Sequence, residues 1–392
     1  MERQSDRIAP DILVVGGGIL GLATSCELLS RGYTVSIAER DASNSATRAA
    51  GGMLSPWAEF SAPVPWHTLL VQARNAYPEF VRNAEETSGC RVECRFPGTL
   101  LVSPNPEFDL SDLTFTFREQ SAHATFLDSE DLTRVEPGLA VDSAILLEDE
   151  GYVDPRGLHS ALRASFEELG GHWIRDEVYA VREVEGRVVG VQTSSGDLSA
   201  GVVLNTAGAQ ADRFLLPEDR ARLEPRPVRG ELIRLRPPHR GERIRHVIQS
   251  PGFAYLIPQD DGTVIVGATS YEGDGTRRLT ARGIAELLEN SSRLLPDVSD
   301  WEWVEAWSGV RPLVGSGEPT VLTDKRPGLL HGLGLYRNGI LLAPVIGAQL
   351  SRLAAEYIGL PGSPRRPTPG TRAPGRDGPD GTVSSSRTRE RT

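Results

Sequence analysis

Three glycines and one glutamate near the start of the chain have the spacing of a dinucleotide-binding turn. Gly16, Gly18 and Gly21 directly follow an apolar run, and Glu39 closes the next β-rich run. In such a turn the first glycine permits the tight bend, the second lets the backbone approach a pyrophosphate, and the third allows close helix–strand packing. The helix start would offer N–H groups to the phosphates, and Glu39 would accept hydrogen bonds from an adenosine ribose. The alternative is a tight strand–helix turn that binds no ligand.

The residues around this turn indicate which dinucleotide it would bind. An acidic residue at position 39 disfavours a 2′-phosphate, and therefore NADP. A second turn of this kind is missing from the sequence, because Gly332 and Gly334 lack a third glycine at the required spacing. Enzymes that pass electrons from a nicotinamide to a flavin usually need two such sites. A single site therefore predicts bound FAD that receives electrons from an organic substrate.

Two arginines and a tyrosine in the second half of the chain could bind a small anion. Arg311 lies in an apolar, rigid setting, where a guanidinium is costly unless it is paired. Its planar fork matches a carboxylate, which could belong to a ligand or to an internal acidic residue. Tyr255 alternates with apolar residues on a strand, and its hydroxyl could add a second bond to the ligand or could lie satisfied in the core. Arg337 precedes a tight turn at Asn338 and Gly339, where it could contact a substrate or hold the turn.

The elements around these residues predict an α/β fold. Residues 11–15, 19–30 and 33–38 predict a βαβ unit whose helix stops at Gly32. Alternating apolar and polar positions over 226–270 predict an antiparallel sheet. We further predict a loop over 42–65, helices over 66–88, 159–169, 281–295 and 345–358, and strands over 172–184, 187–193 and 198–205.

The composition excludes several functional classes. A formal net charge of -11 over 392 residues argues against nucleic acid as a main partner. Three cysteines, Cys26, Cys90 and Cys94, do not suit a disulfide framework or a zinc site, so we expect no metal. The sequence shows neither a signal peptide nor a membrane-spanning apolar run, so we expect a cytoplasmic protein without membrane contact. Residues 361–392 are rich in Pro, Gly, Ser and Arg, and we expect this tail to be disordered.

Five motifs together resemble the D-amino-acid oxidase family of flavoproteins. Four of them support the family as a whole, and the fifth, residues 336–344, resembles the family's glycine-oxidising branch in bacterial thiamine biosynthesis. The resemblance covers about residues 10–358. The four family-wide motifs are residues 16–21, Glu39-Arg40, residues 49–56 and residues 205–209.

This resemblance implies an FAD-binding Rossmann-like domain of the GR2 type, as in D-amino-acid oxidase, together with a second, antiparallel-sheet substrate domain. The first would comprise residues 1–80, 150–220 and 320–360, and the second residues 81–149 and 221–319. The substrate-binding residues would be Tyr255, Arg311 and Arg337. The cofactor-binding residues would be Gly16, Gly18, Ile19, Leu20, Gly21, Glu39, Arg40, Ala50, Gly51, Gly52, Met53, Val178, Ala207, Gly208, Arg337, Asn338, Gly339, Ile340 and Leu341.

The resemblance also implies a reaction. We expect oxidative deamination of a small amino acid, with glycine as the main candidate and with oxygen reduced to hydrogen peroxide. The reaction would serve thiazole formation in thiamine biosynthesis. Sarcosine or a D-amino acid as substrate, a dehydrogenase that passes electrons to a carrier, and an inactive flavoprotein scaffold are the alternatives. We expect no catalytic side chain, since orientation and a dry pocket suffice. FAD would be noncovalent, because no cysteine follows Cys94. We also expect a homo-oligomer.

Three departures from the family pattern concern the expected substrate pocket. Gln210 replaces the family's tryptophan, and Leu335 replaces a histidine. Residues 313–317 differ in length from the usual segment after the Arg-Pro pair. Because these positions would border flavin and substrate, they leave room for a substrate other than glycine.

Overall fold

A computed structural model describes residues 9–41, 45–59, 64–105, 110–238 and 244–359. The predicted disordered tail lies outside these residues.

The strands of the described residues form four sheets. They are β1 Ile12–Val15, β2 Val35–Ala38, β3 Met53–Leu54, β4 Cys94–Arg95, β5 Thr99–Val102, β6 Ala124–Leu127, β7 Ala144–Leu147, β8 Gly151–Val153, β9 His172–Ile174, β10 Val178–Val184, β11 Arg187–Thr193, β12 Gly196–Ser199, β13 Val202–Asn205, β14 Arg226–Arg236, β15 Val247–Ser250, β16 Ala254–Pro258, β17 Val264–Gly267, β18 Tyr271–Glu272, β19 Glu302–Leu313, β20 Thr320–Thr323 and β21 Leu329–Leu333.

The helices of the same residues pack on these sheets. They are α1 Ile19–Ser30, α2 His67–Ser88, α3 Leu110–Glu119, α4 Ser129–Val135, α5 Pro155–Glu168, α6 Pro217–Leu223, α7 Ala281–Leu294 and α8 Gly339–Gly359, with 3-10 turns at Thr47–Ala49, Gly208–Phe214, Pro296–Asp300 and Tyr336–Asn338.

A six-stranded sheet has the order β20-β21-β13-β1-β2-β9 within the described residues. Its pairs are parallel except for the edge pair of β20 with β21. At the end of β1, Val15 is in register with Asn205 of β13 and Ala38 of β2. The carboxyl ends of three strands therefore meet at one edge, which is where ligands bind in sheets of this kind. Gly16, Glu39 and Thr206 follow these three ends directly.

A second sheet has nine strands in the described residues, with β14 at a branch point. β14 pairs antiparallel with β17, β18 and β19, and β16 pairs antiparallel with β15 and β17. The prediction of an antiparallel sheet over 226–270 is confirmed. All strands of this sheet come from residues 99–147 and 226–313, whereas the six-stranded sheet uses residues 12–38, 172–205 and 320–333. We propose that the six-stranded sheet belongs to the FAD-binding domain and the nine-stranded sheet to the substrate domain.

Two smaller sheets correct the predicted strands. The strand predicted over 172–184 is two strands, because β9 pairs with β2 while β10 pairs with β11 in a separate three-stranded sheet. The strand predicted over 198–205 is likewise divided between β12 and β13. The region predicted as a loop over 42–65 contains β3, which pairs with β8. These errors arise because neighbouring runs of similar composition pair with different partners.

Helix α8 begins at Gly339, six residues before the predicted start at position 345. Pro344 lies inside it and has no N–H to offer the carbonyl of Ile340, one turn earlier. The hydroxyl of Tyr77 on α2 donates to that carbonyl instead, at 2.7 Å. The proline is tolerated inside α8 because Tyr77 of the neighbouring helix α2 supplies the hydrogen-bond donor that the Ile340 carbonyl would otherwise lack.

The larger apolar core lies between α1, α2, α5, α8 and the six-stranded sheet. It holds fully buried side chains such as Leu22, Tyr77, Phe166 and Leu350. A second core lies under the nine-stranded sheet against α7. Within the described ranges, none of the helices combines the length and apolarity needed to cross a membrane.

Candidate functional site

The glycine turn after β1 has the geometry that its spacing predicts. Gly16 has a φ of +101°, and a Cβ there would lie 2.6 Å from the carbonyl oxygen of Thr206. A Cβ on Gly21 would lie 2.1 Å from the Gly16 carbonyl, so helix and turn are in backbone contact. At Gly18 the nearest atom to a Cβ would be Oγ1 of Thr47, at 3.3 Å. Gly18 therefore leaves the space that a pyrophosphate needs to approach the protein backbone.

Glu39 supports this turn with its carboxylate. One oxygen accepts from the N–H of Gly17 and the other from the N–H of Asp41, each at 3.0 Å. The side chain also lines the cavity beside the turn. Glu39 is thus held in place by backbone donors while its remaining lone pairs are available to a ligand.

Two further residues hold the turn that the sequence did not indicate. Oγ1 of Thr47 accepts from the N–H of Ile19 at 2.9 Å, and Nε2 of His159 lies 2.9 Å from the carbonyl oxygen of Gly17. Burial lowers the pKa of His159, which keeps the ring neutral. Because a carbonyl oxygen can only accept, Nε2–H is the donor to Gly17. Thr47 begins a short 3-10 turn without a motif and His159 is a lone histidine on a helix, so neither carries a sequence signal.

A cavity of about 420 Å³ adjoins the turn and reaches the nine-stranded sheet. Most of the predicted site residues line it. They are Gly16, Gly18, Ile19, Leu20, Glu39, Arg40, Ala50, Gly51, Gly52, Met53, Val178, Ala207, Gly208, Tyr255, Arg311, Arg337, Asn338, Gly339 and Ile340.

Two predicted cofactor residues do not line this cavity. Gly21 faces the carbonyl of Gly16, which is the packing role that its position in the motif predicts. Leu341 is 1% exposed and packs in the core between α8 and its neighbours, so its side chain points away from the cavity. Successive residues of α8 face different directions, which explains why Ile340 lines the cavity and Leu341 does not.

Arg311 and Tyr255 meet in the cavity across the nine-stranded sheet. Gly230 on β14 lies beneath the Arg311 guanidinium, where a Cβ would come within 2.4 Å of it. Nη1 of Arg311 donates to the carbonyl of Thr269 at 3.1 Å, and no carboxylate of the described residues forms an ion pair with it. Burial lowers the pKa of Arg311, and the charge of Arg337 lowers it further. The internal salt bridge that the sequence left open is thus not formed among these residues.

The Tyr255 side chain is enclosed by glycines. A Cβ would lie 2.8 Å from its hydroxyl oxygen at Gly51 and 2.3 Å from its ring at Gly267. Burial raises the pKa of Tyr255, and the charges of Arg311 and Arg337 counteract that rise. The phenol therefore stays protonated and can donate its hydrogen to an anion beside the two arginines.

Arg337 differs from Arg311 because it has an anionic partner. Its Nε donates to the Glu59 carboxylate, whose side chain is 5% exposed. The charge of Glu59 raises the pKa of Arg337. The sequence analysis did not identify Glu59, because nothing in residues 42–65 distinguishes one acidic residue from another.

The segment that carries Glu59 is fixed by two buried side chains. Glu150 accepts from the N–H groups of Trp57 and Ala58 at 2.6 and 3.2 Å. The ring of His67 accepts from the N–H of Val64 through Nδ1 and lies 2.7 Å from the carbonyl of Pro56 through Nε2. Burial raises the pKa of Glu150 to about 7. The backbone of Pro56, Trp57, Ala58 and Val64 is thus hydrogen-bonded to buried side chains.

Two family departures can be located around the cavity. Gln210 lies on its wall and donates its backbone N–H to Ala207. Leu335 also lines the cavity, with 7% of its surface exposed. Both departures therefore change the wall of this cavity, and Leu335 directly precedes Tyr336, another residue of that wall.

The cavity fits a flavin dinucleotide in its chemistry. Gly18 leaves space for a pyrophosphate beside the start of α1, and Glu39 offers an acceptor to a ribose. Backbone from residues 49–53 and 332–340 lines the remainder of the cavity, which extends to Arg311.

Comparison with known proteins identifies the family. The family described as DAO, FAD dependent oxidoreductase, matches residues 11–353. The chain belongs to this family. Its FAD-dependent oxidoreductase fold is also seen in solved structures. Glycine oxidase from Geobacillus kaustophilus aligns with a TM-score of 0.82 and 30% identity, covering 89% of this chain and 95% of that one. Iminodiacetate oxidase from Chelativorans sp. aligns with a TM-score of 0.77 and 26% identity, covering 88% and 95%.

Curated relatives of this DAO-family chain include two kinds of protein. The bifunctional protein ThiO/ThiG of Synechocystis sp. is 35% identical over 352 residues, which are 88% of this chain and 51% of that protein. Glycine oxidase of Geobacillus kaustophilus is 31% identical over 353 residues, covering 88% of this chain and 92% of the relative. The chain thus spans about half the length of the bifunctional relatives that it matches.

Proposed function

We propose that the protein is an FAD-dependent amino-acid oxidase that converts glycine to its imine and oxygen to hydrogen peroxide, for thiamine biosynthesis. The observation that carries the proposal is the Arg311 guanidinium. It is largely buried in the cavity next to the dinucleotide turn, and no carboxylate of the described residues pairs with it. A buried cation without an anionic partner favours binding of a substrate carboxylate. The name glycine oxidase of one relative supports the substrate, and the name putative thiamine biosynthesis oxidoreductase ThiO of a relative from Rhizobium etli supports the pathway.

Arg311 and Tyr255 would orient the substrate through its carboxylate. The guanidinium offers two parallel N–H donors, and the Tyr255 hydroxyl offers a third. With the carboxylate fixed at three donors, the Cα and the amine are restricted to a small part of the cavity. Such restriction lowers the entropic part of the barrier without requiring a protein acid or base.

FAD would be held without a covalent bond. The glycine turn would hold the pyrophosphate, Glu39 the ribose, and the backbone of residues 49–53 and 336–340 the remainder. FAD when bound supplies a two-electron acceptor that oxygen can reoxidise. Overall, glycine loses two electrons and two protons, and oxygen gains both. Cys26, Cys90 and Cys94 are free thiols, and none of the three lines the cavity, which supports noncovalent binding.

A peroxide assay of the purified yellow protein tests this proposal. Glycine, sarcosine and D-alanine are compared at equal concentration, and methylamine serves as an amine without a carboxylate. We expect glycine to give the highest kcat/KM and methylamine to give almost none. Higher rates with sarcosine or D-alanine would reassign the substrate within the same chemistry. Flavin reduction without peroxide would identify a dehydrogenase, and no reduction by any amino acid would refute the proposal.

A further inference from the structure

The charged side chains at the Arg311 end of the cavity carry more positive than negative charge. Arg311 and Arg337 contribute two positive charges and Glu59 contributes one negative charge, and the three are close enough to act on one another and on Tyr255. Glu59 is committed to Arg337 by an ion pair. Glu177, another acidic residue of the cavity wall, instead pairs with Arg40 and Arg213. The substrate end therefore has a net charge of +1, and Arg311 is the arginine whose charge remains available.

We propose that Glu59 makes the site selective for amino acids with a single carboxylate, by occupying Arg337 and excluding a second carboxylate. The inference rests on the proposed amino-acid oxidation. One substrate carboxylate brings the group of four charges to neutrality. A second carboxylate would leave a net negative charge in a buried place, which is costly. It would also meet the Glu59 anion, and like charges at a desolvated site are a common means of rejecting a wrong ligand.

The surroundings of Glu59 make this exclusion effective. The Glu59 side chain is 5% exposed and Arg337 is 23% exposed, so the solvent screens the pair weakly. Glu150 binds the two residues before Glu59, Trp57 and Ala58, through their backbone N–H groups. Glu59 is therefore anchored on its N-terminal side and is not free to release Arg337 to a second carboxylate at low cost.

Two substrates that differ by one charge test the proposal. Iminodiacetate carries two carboxylates, and its monoamide has the same size with one carboxylate and one neutral amide. The kcat/KM of each is measured for the flavin-loaded wild type and for Glu59→Gln. The matched control is Glu27→Gln, which removes a surface glutamate paired with Arg31 at 2.7 Å on α1. Both substitutions raise the net charge by one, but only the first changes the charge beside Arg337.

We expect Glu59→Gln to raise the ratio of kcat/KM for iminodiacetate over the monoamide at least tenfold relative to the wild type. Glu27→Gln should leave the ratio within twofold. A merely structural role for Glu59 would lower both rates together and leave their ratio unchanged, and that result would overturn the proposal. An equal rise in Glu27→Gln would overturn it as well, because a nonspecific charge effect would then explain the selectivity.

Binding of nonreacting anions provides a readout that does not depend on turnover. Acetate and malonate are titrated against the flavin-loaded proteins, and their dissociation constants are obtained from the shift in thermal midpoint. Wild-type protein should bind malonate no more tightly than acetate, and Glu59→Gln should bind malonate at least tenfold more tightly. If Glu59→Gln does not fold, wild-type protein alone decides, and tenfold tighter malonate binding would refute the proposal. Failure of every amino acid to react, with this anion selectivity intact, would refute the proposed function alone.

Discussion

Oγ1 of Thr47 accepts a hydrogen bond from the N–H of Ile19, the first residue of α1, at 2.9 Å. Gly18 occupies the N-cap of this helix and has no side chain with which to cap it. Glycine is needed there for the approach of a ligand, so the capping oxygen comes from a distant loop. Glycine at the N-cap leaves the start of α1 open to a phosphate, but it also removes the usual capping side chain. The stability of α1 therefore depends on a second segment, the one that contains Thr47.

Replacement of Thr47 by valine tests this relationship. Because the buried N–H of Ile19 loses its acceptor, we expect the flavin-free protein to lose about 0.5–2 kcal/mol of unfolding free energy in urea. Thr133→Val is the control, since Thr133 is exposed and donates to a carbonyl of its own helix. Equal stability of Thr47→Val and the wild type would show that the hydrogen bond contributes nothing.

Glu39→Ala should weaken FAD binding. The substitution removes the acceptor for the ribose and also the partners of the Gly17 and Asp41 N–H groups. We expect a loss of about 1–3 kcal/mol in binding free energy, as for hydrogen bonds to a charged group. Titration of the flavin-free protein with FAD measures the dissociation constant. An unchanged constant in the alanine variant would exclude Glu39 from the cofactor site.

Acid denaturation should release the flavin intact. The free thiols of the chain lie away from the cavity, so we expect the yellow colour in the supernatant after the precipitated polypeptide is removed. Chromatography of the supernatant should show FAD. Flavin that stays with the polypeptide would contradict noncovalent binding.

Arg311→Lys should impair turnover although the charge is kept, because a single ammonium cannot replace a planar fork with two donors. Arg311→Ala should lower kcat/KM for glycine by a factor that corresponds to about 3–5 kcal/mol of activation free energy, because the guanidinium and the substrate carboxylate form a desolvated pair. Flavin content and thermal midpoint should remain near the wild-type values, since Arg311 has no anionic partner among the described residues. Equal losses with glycine and methylamine, or an unfolded protein, would mean that Arg311 is structural.

Glu150 should make stability depend on pH. Burial raises the pKa of Glu150 to about 7, from its ordinary value of 4.5. The folded state therefore binds the proton more tightly than the unfolded state. The protonated Glu150 contributes its full share to the free energy of unfolding below pH 4.5, and this share is lost as pH rises through 7. The shift corresponds to about 3 kcal/mol. Glu150→Gln keeps an oxygen for Trp57 and Ala58, and the difference between the variant's and the wild type's urea stability should grow from pH 4.5 to 7.5. A constant difference would contradict the raised pKa.

The parts of the molecule that were predictable from sequence depend on short-range patterns. Helix α1 was predicted with its observed bounds, because an apolar run, a glycine turn and Gly32 delimit it. The antiparallel sheet was predictable from the alternation of residues 226–270. The early start of α8 was not, because it depends on the contact between Tyr77 and Ile340, far apart in sequence.

The candidate site shows the same division. Gly16 and Glu39 were recognisable because their spacing follows from the backbone of a βαβ unit. Arg311 stood out because a cation is costly in an apolar run. Glu59 and Thr47 were not recognisable, because their roles come from Arg337 and Ile19, which tertiary structure brings beside them.

The strand order of the six-stranded sheet has a consequence for synthesis on the ribosome. β1 is translated before its neighbour β13 and the next strand, β21, which come from residues 202–205 and 329–333. One edge of the apolar strand β1 therefore stays unpaired until residues 202–205 have emerged. During that interval the nascent protein exposes a strand edge that can aggregate. The lining of the dinucleotide cavity is complete only after β21 and the start of α8 have been made, so binding of the flavin must follow their translation.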